Sequence, residues 1–246
     1  MDILNIAAYR FVALDNLAAL RRRLLDSCIR ENLRGTILLA PEGINLCLAG
    51  AAEGVENLRR VLEEDDRLAG MDFKESRSPI TPFRRLKVKI KNEIIAFGVP
   101  GIDPARDPAP AIDPATLKSW LDQRLEVILL DTRNAYEVAH GTFAGAVHLG
   151  NGTFREFSLA ARALPLAEGD TPIVTFCTGG IRCEKAAPLL RQIGHRNVFQ
   201  LSGGVLRYFE LAGSAHYEGA CFVFDERTGL RAPPASGQTG SVKAAG

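Results

Sequence analysis

Residues 173–190 read IVTFCTGGIRCEKAAPLL, and this stretch decides the fold of the C-terminal half of the chain. The first four residues are β-branched and aromatic, which predicts a short buried strand. From Glu184 the pattern changes to a helical period that puts Cys183, Ala186 and Leu190 on one face. Cys177 is therefore predicted to lie where a strand ends, shortly before a helix begins.

The segment between this strand and this helix has the composition of an anion-stabilising loop. It consists of Cys177, Thr178, Gly179, Gly180, Ile181 and Arg182. The two glycines let the backbone curl so that successive amide N–H groups point inward, while the helix N-terminus and the arginine add positive charge. A thiol in such a place ionises easily, and the thiolate is the nucleophile. We predict Cys177 as the catalytic residue; the alternative is a buried structural cysteine followed by a glycine turn.

The length of the loop indicates the kind of group that it surrounds. Four residues separate Cys177 from Arg182, whereas phosphate-binding cysteine loops have one more. The shorter ring suits one extra sulfur atom or a small planar edge better than a phosphate. The loop resembles that of rhodanese-type sulfurtransferases, and the similarity covers roughly residues 115–215.

Three flanking motifs carry the same resemblance. Asp131-Thr132-Arg133 follows the strand EVILL, and GTFAGAVHL has Thr142 where rhodanese domains usually have a histidine. NVFQLSGGVLRYFE resembles their closing strand, double glycine and helix. Strands and helices also alternate through this half, which predicts a doubly wound, mainly parallel sheet with its site beyond the carboxyl ends of the strands.

A narrower resemblance spans residues 3–228. CTGGIRCEKA, TFREF, CFVFDER, GTILLAPEGIN and FRRLKVKIKNEII together resemble the bacterial rhodanese-domain tRNA uridine(34) hydroxylase family. The resemblance implies oxygen-dependent formation of 5-hydroxyuridine at the wobble position of tRNA. It implies the tRNA anticodon loop as partner and dioxygen as co-substrate, and no cofactor is recognised.

Three further residues near the loop are candidates for supporting roles. Asp131 and Arg133 are predicted to form a structural ion pair behind the loop, because such networks more often orient than react. Cys183, one residue past the loop, is either a thiol that handles a persulfide or an apolar helix residue.

The four histidines are not spaced as metal ligands, so no metal site is predicted.

The rest of the chain divides by composition. Residues 1–98 have the order β-α-β-β-α-β, which predicts a ferredoxin-like (acylphosphatase-like) α+β domain. Residues 99–114 contain five prolines and are predicted to be a semi-stiff linker to the catalytic domain, residues 115–215. Residues 216–246 are predicted to form a C-terminal segment whose tail, rich in Gly, Pro, Ser and Ala, is disordered.

The clearest charge asymmetry lies in residues 77–91, which contain six basic residues and no acidic one. The run LKVKIK alternates strictly, so it predicts a strand with one apolar and one basic face. The candidate RNA-binding residues are Arg84, Arg85, Lys87, Lys89 and Lys91. The alternative is an edge strand that its lysines protect from aggregation. The run of arginines at residues 21–23 is a weaker candidate.

Composition excludes some classes of protein. No apolar run approaches the ~20 residues needed to span a membrane, and the first residues show no signal-peptide pattern. The five cysteines are scattered without a disulfide framework, which favours a reducing cytoplasm. The net charge is +1, so a nucleic-acid surface must be a local patch.

Three functions fit these observations. The first is tRNA uridine hydroxylation, with a Cys177 thiolate adding to carbon 6 of uracil so that carbon 5 becomes electron-rich; a Cys177 persulfide is an alternative in the same site. The second is a rhodanese-type sulfurtransferase that carries a cysteine persulfide, which leaves the basic strand unexplained. The third is a non-catalytic RNA-binding adaptor, against which the intact Cys177 and Arg182 argue.

Overall fold

The computed structural model describes residues 2–165, 170–232 and 243–244. The chain forms two compact units. The first consists of Met1–Ile95 together with Asp225–Arg227, and the second of Ala96–Phe224 together with Thr228–Gly246. No helix among the described residues is long and apolar enough to cross a bilayer.

The first unit is a sheet covered by two helices. Its strands are Ile3–Phe11 (β1), Arg34–Ala40 (β2), Gly43–Gly50 (β3), Lys74–Ser78 (β4) and Leu86–Ile90 (β5), and its helices are Leu17–Arg30 (α1) and Ala52–Glu63 (α2). The sheet order is β4-β1-β3-β2-β5, with β5 parallel to β2 and the other neighbours antiparallel. The predicted ferredoxin-like order is therefore confirmed, and β5 extends it by one edge strand.

The helical period of α1 and α2 explains how this unit packs. Leu20, Leu24 and Cys28 of α1 are buried at the spacing of one helix face, as are Val55 and Leu58 of α2. These side chains belong to one core with the apolar residues of the strands. Burying such a face supplies most of the stability of short helices.

The second unit is built around a parallel sheet. Its helices are Pro114–Asp122 (α3), Ala135–Val138 (α4), Phe154–Ala160 (α5), Cys183–Gln192 (α6) and Gly204–Ala212 (α7). Its first six strands are Ala111–Ile112 (β6), Ile128–Asp131 (β7), Gly141–Phe143 (β8), Val147–His148 (β9), Ile173–Phe176 (β10) and Val198–Leu201 (β11). The order β6-β11-β10-β7-β9 is parallel throughout, which confirms the predicted sheet.

Strand β10 lies in the middle of this sheet, and all four of its residues are buried. Val174 and Phe176 pack in one core with Tyr208 and Phe209 of α7. A strand that is buried on both faces has a nearly continuous apolar sequence, as IVTF does with Thr175 as its one polar residue. The carboxyl end of β10 brings Cys177 to the sheet edge where Asp131, paired with Phe176, ends β7.

The segment predicted as a linker has more structure than expected. Its end forms β6, which pairs with β11, and Ala109 and Ile112 are buried. Proline is compatible with this position because β6 is an edge strand, and the Pro110 carbonyl accepts a hydrogen bond from the Gln200 N–H at 2.9 Å. The second unit thus begins at Ala96, before the predicted start of the catalytic domain.

The C-terminal segment adds short strands. They are Tyr217–Gly219 (β12), which pairs with β8, and Cys221–Phe222 (β13), Gly229–Arg231 (β14) and Lys243–Ala244 (β15), which form a small sheet. Most of the tail predicted as disordered lies outside the described residues. Its described residues 243–244 pair with β14, which the composition did not predict.

Candidate active site

The loop Cys177–Arg182 connects β10 to α6 at the predicted place. It curls around the sulfur of Cys177, whose side chain is fully buried. Gly180 has a φ of 103°, and this conformation directs its N–H to the Cys177 Sγ at 3.1 Å. The Gly180 carbonyl in turn accepts from the Cys183 N–H at 3.0 Å, so the loop passes directly into the first turn of α6.

Helix α7 holds the loop from a second side. The N–H of Val205 donates to the Cys177 carbonyl at 2.9 Å, and that of Leu206 to the Thr178 carbonyl at 3.0 Å. These two bonds satisfy the loop carbonyls of Cys177 and Thr178. The Gly180 amide therefore donates to the sulfur and not to a carbonyl of the loop. The close approach requires glycine at the first residue of α7, because a Cβ on Gly204 would collide with the Cys177 carbonyl oxygen. Gly203, just before the helix, and Gly204 have φ values of 68° and 65°.

Gly204→Ala is expected to disable the loop without unfolding the domain. An added Cβ would collide with the Cys177 carbonyl oxygen and lie 2.7 Å from that of Thr178, so the loop must shift away from α7. We expect catalytic activity to fall by more than about tenfold. Gly213→Ala is the matched control, since Gly213 has nearly the same φ of 66° but open space around it. Equal activities of the two folded variants would contradict this prediction.

The environment of Cys177 makes it an acidic thiol. Burial alone would raise its pKa, but four interactions outweigh it: a hydrogen bond from Cys183, the charge of Arg182, and the amides of Arg182 and Gly180. Together they lower the pKa of Cys177 to about 6. Burial raises the pKa of Cys28 to about 12, and burial with nearby charges raises those of Cys47 and Cys221 to about 11. Cys177 is therefore a thiolate at neutral pH, whereas these other thiols are protonated.

Cys183 has a role that neither sequence interpretation included. It is fully buried, and burial and the hydrogen bond to Cys177 raise its pKa well above the usual range. The Cys183 thiol therefore stays protonated and donates a hydrogen bond to the Cys177 sulfur. The Thr132 hydroxyl lies 3.8 Å from the Cys183 Sγ. Hydrogen bonding to the charged form of a thiol is one of the ways in which a protein lowers its pKa.

We expect the Cys177 thiolate to form as pH rises through about 6. Ultraviolet absorbance of the thiolate, measured as the difference between the wild type and Cys177→Ser, reports this even for a buried sulfur. Cys183→Ala should raise the midpoint by about one to two pH units, because a hydrogen bond to a charged group is lost. Cys47→Ala, in the other unit, should leave it unchanged. A wild-type midpoint at the ordinary thiol value would contradict the activated-loop interpretation.

Arg182 is held by a residue that the sequence analysis missed. Its guanidinium makes two hydrogen bonds of 2.6 Å to the Glu137 carboxylate, and both side chains are buried. Its Nε has no hydrogen-bond partner among the described residues. Glu137 also accepts from the Asn134 N–H at 3.1 Å. Its only sequence signal, Asn followed by Glu three residues later, is that of a local helix cap.

Asp131 and Arg133 form a fully buried ion pair of 2.6 Å. Thr142, the departure from the usual histidine, donates to the Asp131 carboxylate at 2.8 Å. Arg133 also donates to the Gly141 carbonyl at 2.8 Å and the Tyr217 hydroxyl at 3.2 Å. The pair thereby joins the end of β7 to the strands β8 and β12.

The candidate RNA-binding residues lie in the other unit, on and before the edge strand β5. Lys87 and Lys89 are exposed on the face opposite to the buried Val88, and Lys91 is exposed just beyond the strand. Arg84 pairs with Glu226, and Arg85 is exposed. In the weaker arginine run, Arg21 donates to the backbone of β5, and Arg23 pairs with Glu64 and Asp65.

The histidines have structural or surface positions. His148 lies 2.8 Å from the Arg133 carbonyl, and His216 lies 2.7 Å from Asp122. His195 is buried, and His140 is exposed. The described part of the chain contains no cluster of three or more His, Cys, Asp or Glu residues that could hold a metal ion.

Comparisons with known proteins agree with both halves of this architecture. Residues 3–94 match the model of the UPF0176 acylphosphatase like domain, and residues 113–210 match the rhodanese-like domain. The chain is 50% identical over 237 residues to the tRNA uridine(34) hydroxylase of Ralstonia nicotianae, covering 94% of this chain and 84% of that protein. This chain belongs to the tRNA uridine(34) hydroxylase family. Members of the family from other bacteria are equally similar.

Two such members are from Bordetella parapertussis and Variovorax paradoxus. Both are 50% identical to this chain; the first match covers 94% of this chain and 96% of the relative, the second 99% and 94%. Among solved structures, the rhodanese-like domain from Anabaena sp. is 23% identical with a TM-score of 0.38, covering 55% of this chain and 92% of that domain. This chain combines an acylphosphatase-like domain with a rhodanese-like domain.

Proposed function

We propose that this protein hydroxylates uridine 34 of tRNA at carbon 5, with Cys177 as nucleophile and dioxygen as the oxidant. The observation that carries the proposal is the Cys177 sulfur, held 3.1 Å from the Gly180 N–H inside the loop of a chain that is 50% identical to proteins named tRNA uridine(34) hydroxylases. The substrate contact is the anticodon loop, whose bases can be unstacked and presented singly. An enzyme of this substrate class works in the cytoplasm.

The thiolate provides the first step. The Cys177 sulfur forms a bond to carbon 6 of the uracil ring, and the electrons of the double bond move to carbon 5 and the carbonyl at carbon 4. Carbon 5 then reacts with dioxygen. One oxygen atom stays on carbon 5. The other is reduced to water with two electrons and two protons, which come from a reductant such as a cellular thiol. Loss of the proton at carbon 5 and of the sulfur from carbon 6 restores the double bond.

Residues of the loop stabilise the negative charge on the Cys177 sulfur during these reaction steps. The amide N–H groups of Gly180 and Arg182 face the sulfur and stabilise it as an anion before addition and after release. Cys183 donates to the same sulfur and keeps its own proton, so it holds the nucleophile as a thiolate. Burial of Cys177 excludes water from the reacting atoms.

Mass spectrometry of tRNA nucleosides tests the proposal. A strain that lacks the gene is compared with the same strain carrying the wild-type gene. The expected result is a uridine derivative heavier by one oxygen atom only when the gene is present. A sulfur atom in place of an oxygen would overturn the proposal in favour of a sulfurtransferase that works through a Cys177 persulfide. Identical nucleosides in the two strains would favour the non-catalytic adaptor.

Replacing Lys87, Lys89 and Lys91 together by glutamine is expected to weaken tRNA binding. Among the described residues, no carboxylate pairs with these three side chains, so each is available to a phosphate. The slope of log affinity against log salt should fall by about two to three units, since each phosphate contact contributes 0.7–0.9. Fluorescence titration at several salt concentrations measures it.

A second triple variant serves as the control for this experiment. It replaces Arg30, Arg34 and Arg60 by glutamine, which removes the same charge from exposed positions of the same unit outside both basic runs. We expect a smaller change in slope from this variant. If both variants change the slope equally, or neither changes it, β5 is not the RNA surface and its lysines serve to protect the sheet edge.

A further inference from the structure

Three aromatic rings lie together beside the Cys177 loop, and we name Tyr136, Phe222 and Phe224 the aromatic platform. The Phe222 ring meets that of Tyr136 at 5.3 Å and 84°, and that of Phe224 at 5.3 Å and 85°. Tyr136 is 48% exposed and Phe224 is 55% exposed. Large exposed aromatic clusters are uncommon on proteins and typically mark binding sites.

The platform is attached to the loop at two points. The Thr178 hydroxyl donates to the Phe222 carbonyl at 3.2 Å, and the Arg182 guanidinium carbon lies 5.7 Å from the centre of the Phe224 ring. Tyr136 also precedes Glu137, the carboxylate that holds Arg182. The three rings therefore keep a fixed relation to the loop that carries the nucleophile.

The chemistry of the platform favours a planar, uncharged group over a phosphate. Its three side chains carry no charge, and the cation over the Phe224 ring, Arg182, is neutralised by Glu137. Aromatic faces stack on any nucleobase, with a contribution of about five- to a hundredfold in affinity for each base. Cys177 is fully buried, so a base that reaches its sulfur has to be positioned by residues around the loop.

We propose that the aromatic platform stacks the unpaired base of uridine 34 and guides it into the Cys177 loop. This inference rests on the proposed function, since that function supplies the base. It assigns Tyr136 and Phe224 as positioning residues that act on the substrate before the chemical step. The lysines on and just beyond β5 would bind the RNA backbone, whereas the aromatic platform would recognise the presence of a base.

Two anticodon stem–loop RNAs test this proposal, one with uridine at position 34 and one abasic there. The wild-type protein is expected to bind the uridine RNA about five- to a hundredfold more tightly. Phe224→Ala and Tyr136→Ala should each lose most of this preference, while Phe224→Trp should keep it. Leu211→Ala, at an apolar position on α7 that is 55% exposed, is the matched control and should also keep it.

Each outcome of the binding experiment decides the proposal. Equal affinity of the wild type for the two RNAs overturns it, and so does an unchanged preference in both alanine variants; the rings would then contact a protein or nothing. An unaltered Cys177 thiolate titration in the variants shows that the loop is intact. Because binding is measured without turnover, a wild type that prefers the uridine RNA but leaves cellular nucleosides unchanged would support the platform and contradict the hydroxylase function.

Discussion

Cys177→Ser is expected to abolish the oxygenated uridine in tRNA while leaving the fold and the tRNA affinity intact. A serine hydroxyl stays protonated at neutral pH and is a weak nucleophile, whereas the Cys177 thiol is ionised above a pH of about 6. Substitution of a nucleophile that no other group replaces costs more than about a thousandfold in rate. The side chains are similar in size, so the buried site remains filled.

The measurement is complementation of the deletion strain, with nucleosides quantified by mass spectrometry and protein levels checked in parallel. Cys47→Ser is the matched control, because Cys47 lies in the other unit and the pKa of its thiol is raised to about 11. This control should restore the product fully. Product formation by Cys177→Ser would show that the nucleophile is elsewhere or that no covalent step occurs.

Glu137→Ala is expected to lower the free energy of unfolding by about 3–5 kcal/mol, because it leaves the buried Arg182 guanidinium without its carboxylate. The pair is nearly free of solvent, at 4% and 0% side-chain exposure, so water cannot replace the lost partner. Such a loss is a large part of the stability of an ordinary domain. Chemical denaturation followed by circular dichroism measures it.

A double mutant separates the lost ion pair from other effects of the substitution. Glu137→Ala with Arg182→Ala leaves no uncompensated charge, so it should be less destabilised than the sum of the two single variants. Glu210→Ala breaks an exposed pair with Arg207 and should cost less than about 1 kcal/mol. If Glu137→Ala costs no more than this control, the buried pair does not stabilise the domain.

The sequence was sufficient for the parts of the site that are local. The strand β10, the loop and α6 are adjacent in the chain, and their hydrophobic period and glycines predict both the turn and the place of Cys177. The order of the first unit was equally readable, because α1 and α2 have long amphipathic patterns. Strand β6 was missed because two residues after a proline-rich stretch carry no period.

The missed parts of the site depend on contacts between distant segments. Glu137 and Arg182 are 45 residues apart, and the local pattern around Glu137 is explained by a helix cap. Cys183 was recognised as a candidate, but only the packing of α6 places its thiol within hydrogen-bonding reach of Cys177. The exposure of Phe224 beside the loop likewise follows from tertiary structure.

The dependence of the loop on α7 has a consequence for the newly synthesised chain. Cys177 leaves the ribosome before Val205 and Leu206, whose N–H groups hold the loop carbonyls. The loop conformation that lowers the pKa of the thiol is therefore complete only after α7 has been synthesised. Until then the thiol keeps its ordinary pKa, so only a few per cent of it is thiolate at neutral pH. Folding therefore raises the thiolate fraction of Cys177 without any covalent processing of the chain.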